Sequence, residues 1–200
     1  MKLLPVALNV RDQRCLVVGG GSVALRKTLS LLECEARVHL VAPQLCDGFE
    51  TLRAQFEYSN RVFQAGDCNA CQLVFACTNR RETNARIADE AREIGVWCNI
   101  ADDPQDSSFH TVATVRRGEI AIGISTGGHP VLAQHLKTRV EECVGDEYAQ
   151  LLEIVETRQG SNPKRERGAL WRAIIQSDAL ELLRDGQRAR AEKLIDGLLK

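Results

Sequence analysis

The chain has 200 residues, enough to bury one full core plus a smaller appendage, and its 44% hydrophobic against 26% charged residues is the balance of a globular protein. Twenty-six lysines and arginines set against 27 acids leave a net charge of −1, so nothing pulls the whole molecule toward nucleic acid or an anionic membrane, and an anionic partner has to meet a local basic patch. No apolar run reaches the length of a transmembrane helix.

The N-terminal stretch 1–12 predicts a leading β-strand rather than a signal peptide, since its apolar run is short, broken by Pro5 and without a cleavage site. Next, Cys15-Leu16-Val17-Val18 runs uncharged into Gly19-Gly20-Gly21, and Ala24, Leu25, Thr28, Leu29, Leu31 and Leu32 follow at helical spacing, which reads as buried strand, tight turn, helix. Gly19-x-Gly21-x-x-Ala24 fits the dinucleotide-binding fingerprint. Its first glycine makes the turn, its second admits a pyrophosphate close to the backbone, and its small third residue lets helix pack on strand. The free amides and positive dipole end of the helix favour a diphosphate there.

A second strand over 37–42 ends in Ala42-Pro43-Gln44, where the simplest form of this unit carries an acid for the ribose 2′-hydroxyl. With neither that acid nor an arginine for a 2′-phosphate, NAD is expected by default and NADP is left open. A helix or loop over 46–55 turns Phe49 and Leu52 inward, and 62–65 reads as a short edge strand. Residues 72–77 form the next buried parallel strand, which ends at Thr78-Asn79 beside the cofactor, with Asn79 or a neighbour also a candidate helix cap. A helix over 81–94 stops at Gly95, and a strand over 96–100 leads into Ala101-Asp102-Asp103-Pro104. Acids at the carboxyl end of such a strand are the first candidates for chemistry, although an Asp suits equally the turn that Pro104 enforces.

The eight cysteines sit singly in apolar contexts, as buried free thiols do in a reducing cytoplasm. Only Cys68-x-x-Cys71 has ligand or redox spacing; it lacks a second pair, and no metal-ligand set is expected.

Residues 111–124 read as a hairpin around Arg116-Arg117-Gly118-Glu119, which marks a domain boundary near residue 112. The loop Ser125-Thr126-Gly127-Gly128-His129-Pro130 precedes a helix carrying Leu132, Leu136 and Val140, and is a second place where helix amides face an anion. Helices fill the last fifty residues: a stripe of Leu151, Leu152 and Val155, a break at 160–163, then helices over 170–183 and 190–199. Lys164, Arg165 and Arg167 cluster at the break as a solvated face or an anion-contacting wall. The fold class is α/β: a Rossmann-type doubly wound parallel sheet over 1–112, a hairpin and helix segment over 113–147, and a helical domain over 148–200.

Val17 to Lys27, the Val41-Ala42-Pro43 strand end, Cys98-Asn99-Ile100-Ala101-Asp102, Ser108-Phe109, Arg116 to Glu119 and Ile124 to Gly128 together resemble, in order and spacing, the precorrin-2 dehydrogenase or siroheme synthase family. The resemblance implies oxidation of precorrin-2 to sirohydrochlorin with NAD, in some members followed by ferrous iron insertion, in a cytoplasmic homodimer whose central segment mediates dimerisation. It places the essential aspartate on Asp102. Nucleotide contacts fall on the turn Gly19, Gly20, Gly21 and on Ser22, Val23, Pro43 and Gln44, with Thr78 beside them. No methyltransferase module is expected in this 200-residue chain. The tetrapyrrole is a polycarboxylate, which arginine and lysine recognise through charge-assisted hydrogen bonds. Ser125, Thr126, His110, Arg116, Arg117 and Lys137 are the expected substrate contacts, with Arg139 adding to the basic surface. The chain departs from the family pattern at His129-Pro130, one residue short and without the serine before proline, and at His110-Thr111-Val112, which replaces a proline-containing apolar stretch. The competing reading is an NAD-sensing regulatory domain without catalysis, but such modules usually keep the ribose acid and need no basic helical domain.

Overall fold

Strand β1 (Arg14–Val18) is buried from Cys15 onward because both of its faces are covered. Cys15 and Val17 point into one core with Ala24 and Leu31 of helix α1 (Ser22–Glu33) and with Phe49, while Leu16 and Val18 point into another with Ile87, Ala88 and Ala91 of helix α2 (Arg81–Glu93). Two-sided burial is why the strand reads as a continuous apolar run instead of an alternating one. The computed structural model describes residues 2–159 and 164–199, with the backbone alone for residues 159 and 164–167.

The sheet joins β2 (Arg37–Val41), β3 (Glu57–Ser59), β4 (Leu73–Ala76) and β5 (Trp97–Ile100) to β1 in the order β3-β2-β1-β4-β5, every pair parallel. The chain leaves β1 for β2 on one side and returns to β4 on the other, so the crevice outside the carboxyl ends of β1 and β4 is the topological switch point where this class of sheet binds its ligand. This is the doubly wound Rossmann arrangement expected above.

Three local expectations are corrected. Residues 2–9 join no strand, and Leu3, Leu4, Val6 and Leu8 lie exposed; Pro5 has no amide to give a ladder. The edge strand is Glu57-Tyr58-Ser59, not 62–65, whose apolar signal came from Phe63 filling the core from a loop. The helix cap falls on the neighbour of Asn79: Arg80 holds the capping position of α2, and the hydroxyl of Thr78 accepts its amide (3.2 Å). The helix over 170–183 is two helices. Ser177 interrupts it, donating from its hydroxyl to the Ile174 carbonyl (2.7 Å) and accepting from the Ala179 amide (3.3 Å).

The chain divides into two compact units, Met1–Thr111 and Val112–Lys200. In the second, β6 (Ala113–Arg117) and β7 (Ile120–Ile124) pair antiparallel about Gly118-Glu119, the expected hairpin. Helix α3 (Pro130–Cys143) follows and buries none of its residues; Val131 is 83% exposed and Leu132 49%. Helices α4 (Glu147–Gln159), α5 (Lys164–Ile175), α6 (Ala179–Arg184) and α7 (Arg188–Leu198) enclose a core of Leu151, Ile154, Val155, Ile174, Ala179, Leu183, Ala191 and Ile195. The break at 160–163 and the side chains of Lys164, Arg165 and Arg167 lie outside the described residues.

Candidate active site

The glycine turn is fixed from two sides. A Cβ on Gly19, whose φ is +124°, would meet the Cys77 carbonyl oxygen at 2.3 Å, and one on Gly20 would meet that of Gln44 at 1.8 Å. Backbone bonds hold the same approach: the Gly19 amide donates to the Val41 carbonyl (2.9 Å), and the Cys46 amide to the Gly20 carbonyl (2.8 Å). Side-chain volume is therefore forbidden where the turn passes the ends of β2 and β4. At Gly21 it is not, since a Cβ there meets nothing within 4 Å. The open space faces the start of α1, whose capping residue is Gly21 itself, with no side-chain acceptor and no acid in the first turn. The amides of Ser22, Val23 and Ala24 precede the first helical bond, from the Leu25 amide to the Gly21 carbonyl (3.0 Å). An uncapped, acid-free helix start in front of open space suits a diphosphate group. Pro43 and Gln44 lie exposed beyond β2 beside this turn.

From the turn the site continues to Thr78, whose amide nitrogen lies 3.1 Å from the Cβ position of Gly19. Asn84, buried on α2, clamps Thr78 at both ends: its Oδ1 accepts from the Thr78 amide (3.1 Å) and hydroxyl (2.6 Å), and its Nδ2 donates to the Thr78 carbonyl (3.0 Å). Thr78 lines a cleft of about 600 Å³ together with Ala85, Ala88, Ile100, Asp102 and Asp103.

The two acids of that cleft behave differently. Asp103 is committed to its loop, accepting from the amides of Gln105 (3.2 Å) and Asp106 (3.4 Å) and pairing with Arg81 at 3.5 Å. Asp102 is exposed and, among the described residues, makes no hydrogen bond or ion pair. The Ala101 amide donates to the Ala76 carbonyl (3.0 Å), so Asp102 is the first residue beyond the β4–β5 ladder. Nearby, burial pushes the Cys77 thiol up to about 11, with Asp102 adding to the effect and Lys27 opposing it. A thiol held protonated in this way offers no nucleophile. Lys27 itself sits half-buried over the Phe75 ring, and its ammonium donates to the Thr111 hydroxyl (2.5 Å); desolvation lowers its pKa.

A model of an NAD(P)-binding family matches residues 6–113, just over half of the chain. The chain belongs to that family. Siroheme synthases are similar along the whole chain: that of Methylococcus capsulatus is 33% identical over 98% of this chain and 43% of its own length, that of Thioalkalivibrio sulfidiphilus 33% over 100% and 42%, and that of Nitrosomonas europaea 30% over 100% and 44%. The chain thus spans less than half the length of these relatives. A solved structure of SirC, a precorrin-2 dehydrogenase, superposes with a TM-score of 0.75 at 20% identity, covering 98% of this chain and all of its own, and so shares the fold.

The NAD(P)-binding unit therefore brings Gly19, Gly20, Gly21, Ser22, Val23, Pro43, Gln44, Thr78 and Asp102 to one edge of its sheet. The ring Nε2 of His110 lies 2.9 Å from the Pro104 carbonyl, closing the far side of the Asp102 loop. In the second unit, Arg117 is already engaged, with Nε 3.3 Å from Asp146 and Nη2 3.5 Å from the Glu141 carbonyl, and Lys137 lies 3.6 Å from Glu141. Arg116 and Ser125 are exposed, and the Thr126 hydroxyl donates to the His129 carbonyl (2.8 Å). Sequence reasoning missed Asn84, which reads as an ordinary surface amide on a helix and takes its role only through the fold. Cys68 and Cys71 are buried in the α2-side core with their thiols directed at backbone carbonyls, as loop cysteines.

Proposed function

We propose that this chain oxidises precorrin-2 to sirohydrochlorin with NAD. One observation carries the reading: an unpartnered carboxylate, Asp102, stands just past the β4–β5 ladder in a cleft shared with Thr78, itself packed against the dinucleotide turn. The similarity to siroheme synthases along the whole chain supports it. When bound at that turn, NAD supplies the acceptor for the hydride that leaves the substrate.

The chain's own residues then have three tasks. The α1 amides and Gly21 hold the diphosphate, and Pro43 and Gln44 flank the adenosine side. Asp102 takes the proton that departs as the ring system is oxidised, a role that a carboxylate in hydrogen-bond reach of the substrate fills. In the second unit Arg116, Arg117 and Lys137, with Ser125 and Thr126, offer donors for the substrate's carboxylates, for which Arg117 and Lys137 exchange their present acidic partners, and in the first unit His110 offers another.

The homodimer belongs to the same proposal. Helix α3 leaves Val131, Leu132 and Leu136 exposed, apolar surface that a second copy would bury, which supports reading 113–147 as the dimerisation segment and 148–200 as the helical domain. Eight free cysteines and the absence, among the described residues, of any helix able to cross a membrane accord with a cytoplasmic enzyme.

The test is anaerobic absorbance with enzymatically generated precorrin-2 and NAD, ferrous iron being added afterwards. NAD-dependent formation of sirohydrochlorin supports the assignment, and subsequent siroheme formation would extend it to chelation. A folded, NAD-binding protein that converts nothing overturns it in favour of nucleotide sensing.

A further inference from the structure

The loop that carries Asp102 is closed by one hydroxyl. Ser107 Oγ accepts from the amide of Ile100 (2.9 Å), two residues before Asp102, and its own proton is directed at the carbonyl of Asp103 (2.8 Å), one residue after. The Ile100 amide lies on the outer edge of β5, the last strand of the sheet, where no ladder partner exists. Ser108 performs the neighbouring duty, with its amide donating to the Cys98 carbonyl (2.8 Å) and its hydroxyl accepting from the Cys98 amide (3.3 Å). Residues 107–108 therefore run back along the edge of β5. Ser107 alone reaches both flanks of Asp102.

We propose that Ser107 is a positioning residue for Asp102, an inference that rests on Asp102 being the base. An exposed carboxylate on a loop samples many positions, whereas proton transfer requires one within hydrogen-bond reach of the substrate. The surrounding contacts leave Ser107 as the adjustable link. Ala101 fixes the entry to the loop through the Ala76 carbonyl, Asp103 folds its interior over the amides of Gln105 and Asp106, and His110 holds Pro104. Asp103 is occupied by these bonds and by Arg81, so it does not substitute for a misplaced Asp102. Removing the Ser107 hydroxyl leaves the Ile100 amide and the Asp103 carbonyl without their bridge, and the loop loses its connection across Asp102.

The experiment compares Ser107→Ala, Ser107→Thr and Asp102→Ala in the full chain, using NAD and precorrin-2, with amide hydrogen exchange measured in parallel. For Ser107→Ala the expected result is a kcat lower by about 10- to 100-fold, the scale on which small misplacements act, with KM for precorrin-2 and affinity for NAD within about twofold of the parent. The Ile100 amide should exchange faster, and Ser107→Thr, which keeps the hydroxyl, should restore kcat and protection together. Full kcat in Ser107→Ala beside an inactive Asp102→Ala overturns the positioning role while leaving the base in place. Equal losses of NAD affinity and thermal stability in both Ser107 variants also overturn it, by assigning the residue to the fold. Full activity in Asp102→Ala is the separate outcome that removes the base itself.

Discussion

Three consecutive glycines answer three different demands, and substitution separates them. Gly20→Ala drives a methyl group into the Gln44 carbonyl, a backbone atom that moves only if the whole loop after β2 moves, so a stability loss of about 1–3 kcal/mol is expected by urea denaturation. Gly21→Ala has free space for its methyl group and should leave the urea midpoint almost unchanged. If the diphosphate occupies that space, the same variant should weaken NAD binding by at least about tenfold in calorimetry, or about 1.4 kcal/mol. If Gly21→Ala binds NAD as the parent does, the diphosphate lies elsewhere. Asn84 makes a third case. Asn84→Ala removes a buried side chain and leaves the part-buried amide and carbonyl of Thr78 unanswered, with an expected cost of about 1–3 kcal/mol in the same denaturation experiment.

Along strand β2 the buried His39 couples the sheet edge to pH. Arg14 can only donate, so its Nη2 contact with His39 Nδ1 (2.9 Å) places the ring proton on Nε2, which donates to the Ser59 hydroxyl (2.9 Å). Burial, then the charge of Arg14, lowers the His39 pKa below its ordinary value, with Arg61 acting in the same direction and Glu57 and Asp67 against it. The folded chain therefore refuses a proton that the unfolded chain accepts below about pH 6.5, and stability present above that pH is lost as the pH falls through the lowered value. Urea midpoints should decline as the pH falls below about 6.5, and His39→Gln should flatten the decline; an unchanged slope in the variant would assign it to other groups. His39 also shows what sequence could not convey. The runs at 15–18, 37–42 and 72–77 are legible because a two-sided core demands unbroken apolar strands, and the glycine turn because steric exclusion leaves no alternative. Edge strand β3 is short and polar, its residues chosen by contacts with β2 and not by a core, so the stronger apolar signal lies at Phe63 instead. Asp102 was visible as an acid at a strand end, but its distinction from Asp103 lies in hydrogen bonds that only the folded loop makes.

In the molecule as a whole, the two compact units carry different chemistry. One carries the dinucleotide turn and the lone carboxylate. The other carries basic residues and an uncovered helix, α3. If α3 meets a second copy, the paired substitution Leu132→Asp and Leu136→Asp should convert a dimer to a monomer in sedimentation experiments while the helical core around Ile154 and Ile195 stays folded. A monomeric parent chain would contradict the dimer directly. The proposed role of Asp102 as the base is tested by anaerobic turnover of precorrin-2 with NAD by the parent chain and by Asp102→Ala. Sirohydrochlorin is expected from the parent, with a rate lower by about 10²- to 10⁴-fold in the variant and undiminished NAD binding in both. A variant that turns over precorrin-2 at the parental rate would contradict it.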